Sequence, residues 1–285
     1  MLPRPLNAQQ LPTPIIGVLD SAAATAFKLS AFYEGLKVEG FFRNQNLAVE
    51  YHSAEGDYAR LPELVADLVN RRVTLITALG TPAAQAAKAT TTIPIVFAVG
   101  ANPTETGLVT NLSHPGANMT GVTGMAIGRE QKRLELMRAA VPAAAVLGFL
   151  LNPQNSNQSA QIDHALAAAR KFGVQIKLVR ASTARELSNV FAELTQSQAE
   201  GLVIADDEFF LSASIELGSL AARHGIPAIF QGKAFAAAGG LMSYGSRLAE
   251  LYHQAGAYSG LVLAGAVPAD LPIYQSTGIE MIVNP

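Results

Sequence analysis

The sequence predicts an α/β protein made of two doubly wound parallel-sheet lobes with a cleft between them. Three observations carry that expectation. Four apolar runs of strand length occur in order at Ile15–Leu19, Leu47–His52, Val73–Leu79 and Ile93–Val99. Four more follow at nearly the same spacing, at Val146–Leu151, Val174–Val179, Gly201–Asp206 and Ile226–Gln231. Helix-period stretches separate them, and such an alternation buries parallel strands under helices on both faces. Open parallel sheets bind ligands beyond the carboxyl ends of their strands. Two such units facing each other are therefore expected to close on a small molecule.

Taken in order, Ile15–Leu19 is a buried strand running into Asp20-Ser21. Ala24–Glu39 is a helix with Phe27, Ala31, Phe32 and Leu36 on one side, ended by Gly40. Asp57 is placed to cap a helix whose apolar face is Leu61, Leu64, Val65, Leu68 and Val69. Val73–Leu79 runs into Gly80-Thr81-Pro82, with Thr81 as cap and Pro82 as first helical residue. Ile93–Val99 runs into Gly100-Ala101-Asn102-Pro103, and the Gly/Thr-rich stretch Gly116–Gly128 is taken as the first crossing between lobes. Arg129–Val141 opens the second lobe as a helix. After Val146–Leu151 comes Asn152-Pro153-Gln154-Asn155, then a helix turning Ile162, Ala165, Leu166, Ala169 and Phe172 inward and stopping at Gly173. Thr183 and Glu186 have the spacing of a capping box. Gly201–Ala205 ends in Asp206-Asp207-Glu208-Phe209-Phe210, and Ile226–Phe230 ends in Gln231-Gly232, taken as the second crossing. Gly239–Tyr244 is then expected as a strand of the first lobe, followed by the helix Arg247–Leu263. Leu271–Val283 is expected as extended chain returning to the second lobe. The lobes so drawn are residues 13–121 plus 232–274 and residues 122–231 plus 275–285, with crossings near Val122, Gln231 and Gln275.

Composition narrows the function. Of 285 residues, 49% are hydrophobic and 15% charged, and the net charge of −2 gives no basic footprint for nucleic acid or an anionic membrane. With no cysteine there is no disulfide, thiolate metal site or cysteine nucleophile, and with no Trp any aromatic wall is Phe or Tyr. No apolar stretch is long enough to span a bilayer; Glu250, His253 and Gln254 interrupt the longest apolar helix. Met1–Pro14 lacks the basic and apolar regions of a secretory signal and reads as a leader remnant or a free end. There is no phosphate-binding loop, dinucleotide fingerprint, zinc motif or serine elbow. The five histidines show no ligand spacing, and His164 and His224 read as solvated helix positions. No catalytic residue, metal or cofactor is expected.

The chemistry lies in the strand-end loops. Gly80-Thr81-Pro82 opens a helix whose free N–H groups and dipole attract a carboxylate or phosphate, although an ordinary helix start reads the same way. Asp206 and Asp207 end a strand and could hold an ammonium group, bind a metal or act as general base, and Asp207 could equally cap the next helix. Phe209 and Phe210 beside them suit an amphiphilic ligand, or simply pack. Asn152, Asn155 and Asn157 can donate and accept towards a polar ligand, or shape a turn with Pro153.

Several stretches resemble the ABC-transporter substrate-binding proteins of the TrpX-like group. They are Ile16–Ser21, Glu50–Gly56, Gly80–Lys88, Thr92–Gly100, Pro115–Thr123 and Ala237–Gly245, and the similarity runs from Ile15 to Asn284. The resemblance implies a type I periplasmic-binding fold and an extracytoplasmic, periplasmic or lipid-anchored receptor. Such a receptor is expected as a monomer that delivers a small solute, often an aromatic or other amino acid, to a membrane permease. It implies that Asp20 and Ser21 represent the first strand-end loop and that Gly80-Thr81 holds the ligand carboxylate. Asp207, with Asp206 beside it, would face the amino group, and Asn152 and Asn157 would form the second-lobe wall. Gly100, Phe209, Gln231 and Tyr244 complete the expected ligand-binding set. Three features depart from the pattern. Only Pro5–Gln10 resembles the end of a leader, Gly232 stands where a bulky residue is usual, and the chain stops at Pro285 before a closing helix.

Two other classes share the scaffold, because fold does not dictate function. An enzyme could use Asp206 and Asp207 as acid and base, although no partner base is evident. A ligand-sensing regulator needs an N-terminal helix-turn-helix, for which the residues before Ile15 are too few.

Overall fold

The computed structural model describes residues 13–124 and 128–284, so Pro5–Gln10 lies outside the described residues. The first sheet is built from β1 (Ile15–Asp20), α1 (Ala26–Val38), β2 (Ala48–Ser53), α2 (Leu61–Asn70), β3 (Leu75–Leu79), α3 (Thr81–Thr90), β4 (Ile95–Val99) and β5 (Met119–Thr123). The chain then passes to α4 (Arg129–Ala140), β6 (Val146–Leu151), α5 (Gln158–Phe172), β7 (Gln175–Arg180) and α6 (Ala184–Gln196). It continues through β8 (Gly201–Ile204), α7 (Glu208–Ser212), α8 (Ser214–His224), β9 (Ala228–Phe230), α9 (Lys233–Ala237) and β10 (Met242–Ser246). Last come α10 (Leu248–Leu263), β11 (Tyr274–Gln275) and β12 (Ile279–Val283).

The strand order is β11-β5-β4-β3-β1-β2 in one sheet and β12-β10-β9-β8-β6-β7 in the other. All pairings are parallel except β10 with β12. The repeat therefore extends to five strands in each half, since β2-β1-β3-β4-β5 and β7-β6-β8-β9-β10 are the same arrangement. It reaches single residues. Gly17 in β1 and Gly148 in β6 hold the same place, and a Cβ on either would stand 2.8 Å from Leu68 or 2.5 Å from Leu194. Each glycine lets one covering helix settle onto its sheet.

Period-two alternation explains the layers. In the first sheet Leu19, Ile76, Ala78, Phe97 and Val99 face α2 and α3, while Ile16, Val18, Leu75, Leu79 and Val96 face α1 and α10. In the second sheet Leu150, Leu202 and Ile204 pack with α6 and α8, and Leu147, Phe149 and Val203 with α4 and α5.

Two sequence expectations are corrected. Met119–Thr123, inside the expected first crossing, is a strand of the first sheet. Gly239–Tyr244 does not return to the first lobe, because β10 pairs with β9 through Met242↔Ile229 and Ser243↔Phe230. The chain after β9 makes only the five-residue α9, which packs on α8 and turns back alongside β9. The second crossing thus lies between Ser246 and Leu248 rather than at Gln231. The helices that follow the fifth strands are exchanged: α4 packs on the second sheet and α10 on the first. The α1–α10 contact is backbone-close, since a Cβ on Gly256 would stand 2.0 Å from the Phe32 carbonyl oxygen. The tail behaves as expected, with β11 joining the first sheet and β12 the second.

Candidate functional site: the cleft between the sheets

The carboxyl ends of the strands in the two sheets face a common cavity of about 490 Å³. Thr81, Pro82 and Gly100 line it from the first lobe, and Asn155, Asn157, Asp206, Asp207 and Gln231 from the second. Thr81, Gly100, Asn157, Asp206, Asp207 and Gln231 were expected there from the sequence.

The first-lobe wall begins at Gly80, whose φ of 96° is a left-handed conformation that favours glycine. Gly80, not Thr81, is the N-cap of α3, with Thr81 and Pro82 opening the helix. Ser21 supplies the cap from another loop, its Oγ accepting from the Ala83 N–H at 3.0 Å. Pro82 has no N–H to offer, so this helix start keeps fewer free donors than its sequence suggests. Asp20 is fully buried behind Ser21. It pairs with Lys28 Nζ at 2.8 Å and accepts from the Tyr51 hydroxyl at 2.6 Å. Asp20 and Ser21 therefore shape the cleft floor and are absent from its lining.

The second-lobe wall is governed by three consecutive acids with three different fates. Asp206 faces two arginines of α4, Arg133 Nη2 at 2.7 Å and Arg129 Nη2 at 3.6 Å. Burial pushes its carboxyl up, but the two guanidinium charges outweigh burial and hold it below the usual carboxylate range. Arg129 also donates to the Gly100 carbonyl at 2.5 Å and to Ser246 Oγ at 3.0 Å, tying the second lobe to the first.

Asp207 accepts four hydrogen bonds. The Tyr58 hydroxyl donates at 3.0 Å and Asn152 Nδ2 at 3.0 Å. Asn155 Nδ2 donates at 2.8 Å and the Phe209 N–H at 2.9 Å. Burial pushes its carboxyl up, and these donors pull the other way. Asp207 is thus the cap of α7 and a cross-cleft anchor. Three of these bonds fall on Oδ1 and one on Oδ2, and Asp207 lines the cavity as expected. Asp206 is thus ion-paired to α4, while Asp207 is held by hydrogen bonds alone.

Glu208 points the other way. Its Cγ would stand 2.7 Å from a Cβ placed on Gly80, so the side chain reaches across to the first lobe. Its Oε2 is buried and has no hydrogen-bond partner among the described residues. Burial is the largest influence on its carboxyl, which is pushed up to about 7.

Four expected ligand residues serve other purposes. Asn152 is fully buried beneath Asp207. Phe209 packs against Gly56 of the first lobe and against Phe210, with ring centroids 5.4 Å apart. Phe210 is a core residue. Tyr244 packs on the second-lobe core and offers its carbonyl to Arg133 Nε at 2.9 Å. None of the four lines the cavity, and neither does Gly80. The apolar part of the lining is Pro82, Ala101, Ala167, Ala168, Leu211, Leu248 and Leu251. Gly232 stands near Leu211, with its hypothetical Cβ at 3.3 Å from Leu211 Cδ1.

Sequence reasoning missed Arg129, Arg133, Glu208 and Gln161; His164 is exposed, as read, and lies at the cavity edge. Arg129 and Arg133 carried a signal: two cations four residues apart at the start of a helix follow a crossing, where they can meet strand-end acids. Nothing local distinguished Glu208 from its neighbours.

A family model described as ABC transporter substrate binding protein matches residues 16–285. A tyrosine-binding protein of Clostridioides difficile strain R20291 is 28% identical over 255 residues, covering 89% of this chain and 73% of that protein. A conserved domain protein from Vibrio cholerae O1 biovar El Tor has a TM-score of 0.86 at 23% identity, covering 95% of this chain and 92% of its own. An ABC domain in complex with L-Trp from Streptococcus pneumoniae has a TM-score of 0.83 at 24% identity, with coverage of 95% and 92%. A ligand-free, open structure of a substrate-binding protein with adhesive properties from Clostridium difficile has a TM-score of 0.63 at 25% identity, again with 95% and 92% covered. These likenesses bear out the two-lobed fold, and with the family match over residues 16–285 they place the chain in the ABC transporter substrate-binding protein family.

Proposed function

We propose that the protein is an extracytoplasmic receptor that binds an amino acid in the cleft and delivers it to an ABC permease. One observation carries this reading: a single cavity of about 490 Å³ is walled by strand-end residues of both lobes. That volume suits a ligand of amino-acid size. A ligand touching both walls stabilises the closed arrangement over an open one.

The polar lining favours a zwitterion. Thr81 at the first turn of α3 and the Arg129 guanidinium attract a carboxylate. Glu208 of the second lobe and Glu105 on the first favour a cation. Leu211, Leu248 and Leu251 provide apolar surface for a side chain. The relative that binds tyrosine supports the amino-acid class. Neither Phe nor Tyr is among the described residues lining the cavity, so an aromatic preference would draw on space, aliphatic contact and the His164 ring. Among the described residues no helix is long and apolar enough to cross a membrane, which accords with a receptor working beside a separate permease.

Calorimetry and thermal shift against L-tyrosine, L-phenylalanine and L-leucine test the reading. A ligand at a hundred times its Kd stabilises by about 2.7 kcal/mol. Mass spectrometry of the denatured protein identifies any copurified solute. Failure of every amino acid to shift the melting temperature overturns the proposal.

A further inference from the structure

Two acceptor oxygens at this cleft have no partner. Among the described residues, five buried side-chain polar atoms lack a hydrogen bond: Arg133 Nη2, Asp206 Oδ1, Gln161 Oε1, Glu208 Oε2 and Ser276 Oγ. The first two are each other's ion-pair partners at 2.7 Å. Ser276 is not among the residues that line the cavity. Gln161 and Glu208 both line it. Gln161 is 3% exposed, and its Nε2 donates to the Asp206 carbonyl at 2.7 Å, which leaves Oε1 as the acceptor without a partner. A buried acceptor without a donor costs about 1–3 kcal/mol. A ligand that supplies N–H groups relieves that cost at both atoms.

We propose that Glu208, assisted by Gln161, is the residue that selects ligands carrying a primary ammonium group, and that Asp207 is a structural clamp. This rests on the reading of the cleft as an amino-acid site and assigns the ammonium partner within it. An ammonium is donor-only, with three N–H groups, and so suits unpartnered acceptors in the cleft lining. Of the three consecutive acids, Asp206 is matched by Arg129 and Arg133, and Asp207 by four donors. Glu208 alone retains a buried oxygen without a partner.

The surroundings of Glu208 agree. It faces Lys28 of α1, Asp20 at the end of β1, and Asp206 and Asp207 on its own loop. Tyr51 and Tyr58 of the first lobe and Tyr252 of α10 also feel its charge, and burial pushes all three phenols upward, so they stay neutral. Lys28 is the one cation in this set, and it is bonded to both oxygens of Asp20. Three like charges against one committed cation leave Glu208 in want of a positive partner.

Linkage supplies an independent readout. With its carboxyl at about 7, Glu208 is mostly protonated at pH 6 and mostly ionised at pH 8. An ammonium ligand binds the ionised form and releases the proton. Affinity should therefore rise about tenfold from pH 6 to pH 8.

The test compares L-tyrosine, its deaminated acid 3-(4-hydroxyphenyl)propionate and its decarboxylated amine tyramine, by calorimetry, on the wild-type protein and on Glu208→Gln, Gln161→Met and Asp207→Asn. In the wild type L-tyrosine should bind at least tenfold tighter than the deaminated acid. In Glu208→Gln that ratio should fall to within about threefold, and the pH dependence should vanish. Gln161→Met should lower the ratio by a smaller factor and keep the pH dependence. Asp207→Asn should weaken all three probes alike and leave the ratio standing. Glu208→Gln is nearly isosteric and removes a strained charge, so its melting temperature checks that it is folded. An unchanged ratio in Glu208→Gln, or collapse of the ratio in Asp207→Asn alone, overturns the assignment while leaving the amino-acid site intact. Equal wild-type affinity for L-tyrosine and its deaminated acid overturns it too. Absence of wild-type binding to any of the three overturns the proposed amino-acid reading itself.

Discussion

The Tyr58 hydroxyl lies 3.0 Å from Asp207 Oδ1 across the cleft, joining residues 149 positions apart. Tyr58 belongs to the loop after β2 and Asp207 to the loop after β8. The same hydroxyl accepts from the Phe209 N–H at 3.2 Å, so one phenol serves both a carboxylate and a helix start on the opposite lobe. Ser156 Oγ and Gln85 Oε1, 2.5 Å apart, and Arg129 with the Gly100 carbonyl make two more such ties. Closure is thus written in polar contacts at the cleft rim as well as in the ligand.

Replacing Tyr58 with Phe removes one of these ties without changing either core. Hydrogen bonds to charged groups contribute roughly 1.5–3 kcal/mol. Tyr58→Phe is expected to weaken ligand binding about tenfold, the equivalent of roughly 1.4 kcal/mol. Small-angle scattering should show a larger radius of gyration at subsaturating ligand. An affinity equal to wild type would mean that the contact forms without contributing to closure.

Arg133 is fully buried and holds Asp206 at 2.7 Å. Arg133→Met should destabilise the second lobe by about 3–5 kcal/mol, because a buried carboxylate loses its nearer cation. Since Asp206 is held below its ordinary 3.8, its stabilising contribution is complete above that value and is lost as the pH falls below it. Urea denaturation of variant and wild type should therefore differ at pH 7 and converge in strong acid. Adding Asp206→Asn to Arg133→Met should recover part of the loss. A constant difference at all pH values would contradict the ion-pair account.

The contact between α1 and α10 depends on two glycines. A Cβ on Gly35 would stand 1.9 Å from the His253 carbonyl oxygen, and one on Gly256 2.0 Å from that of Phe32. Backbone on both sides leaves no flexible side chain to give way. Gly256→Ala should cost about 1–3 kcal/mol in urea unfolding, the usual range for overpacking. A loss under about 0.5 kcal/mol would show that the helices separate easily.

Ser21 caps α3 from a distant loop, through the Ala83 N–H at 3.0 Å. Ser21→Ala should lower stability by about 1 kcal/mol. Amide exchange at Ala83 should accelerate, whereas exchange at mid-helix Ala87 should change less. Unchanged protection at Ala83 would mean that another acceptor replaces the hydroxyl.

The two-lobed class, the first four strands of each half and most helix faces were legible in the residues. Ile95, Phe97 and Val99 show one side of a buried strand by alternation alone, and Leu61, Val65 and Leu68 one face of a helix. Such patterns are local because a strand or helix must bury one face wherever it packs. Of the fifth strands, Met119–Thr123 was read as a crossing, and the strand expected at Gly239–Tyr244 was assigned to the wrong sheet. Met119–Thr123 and Met242–Ser246 are short and rich in glycine and hydroxyl residues, and they are strands only because β4 and β9 offer them edges.

Residue types at the site were legible too: a helix start, an acidic strand end, an asparagine cluster. Their roles were decided by the folded chain. Asp206, Asp207 and Glu208 are adjacent in sequence and chemically alike, yet one meets two arginines, one meets four donors, and one keeps a buried oxygen unpaired. Those partners come from segments 55 and 149 positions away in the cases of Asn152 and Tyr58. Hydrogen bonds and ion pairs act over about 3 Å, so which acid is spent and which is free depends on loops that meet only when both sheets have formed and the cleft between them has closed.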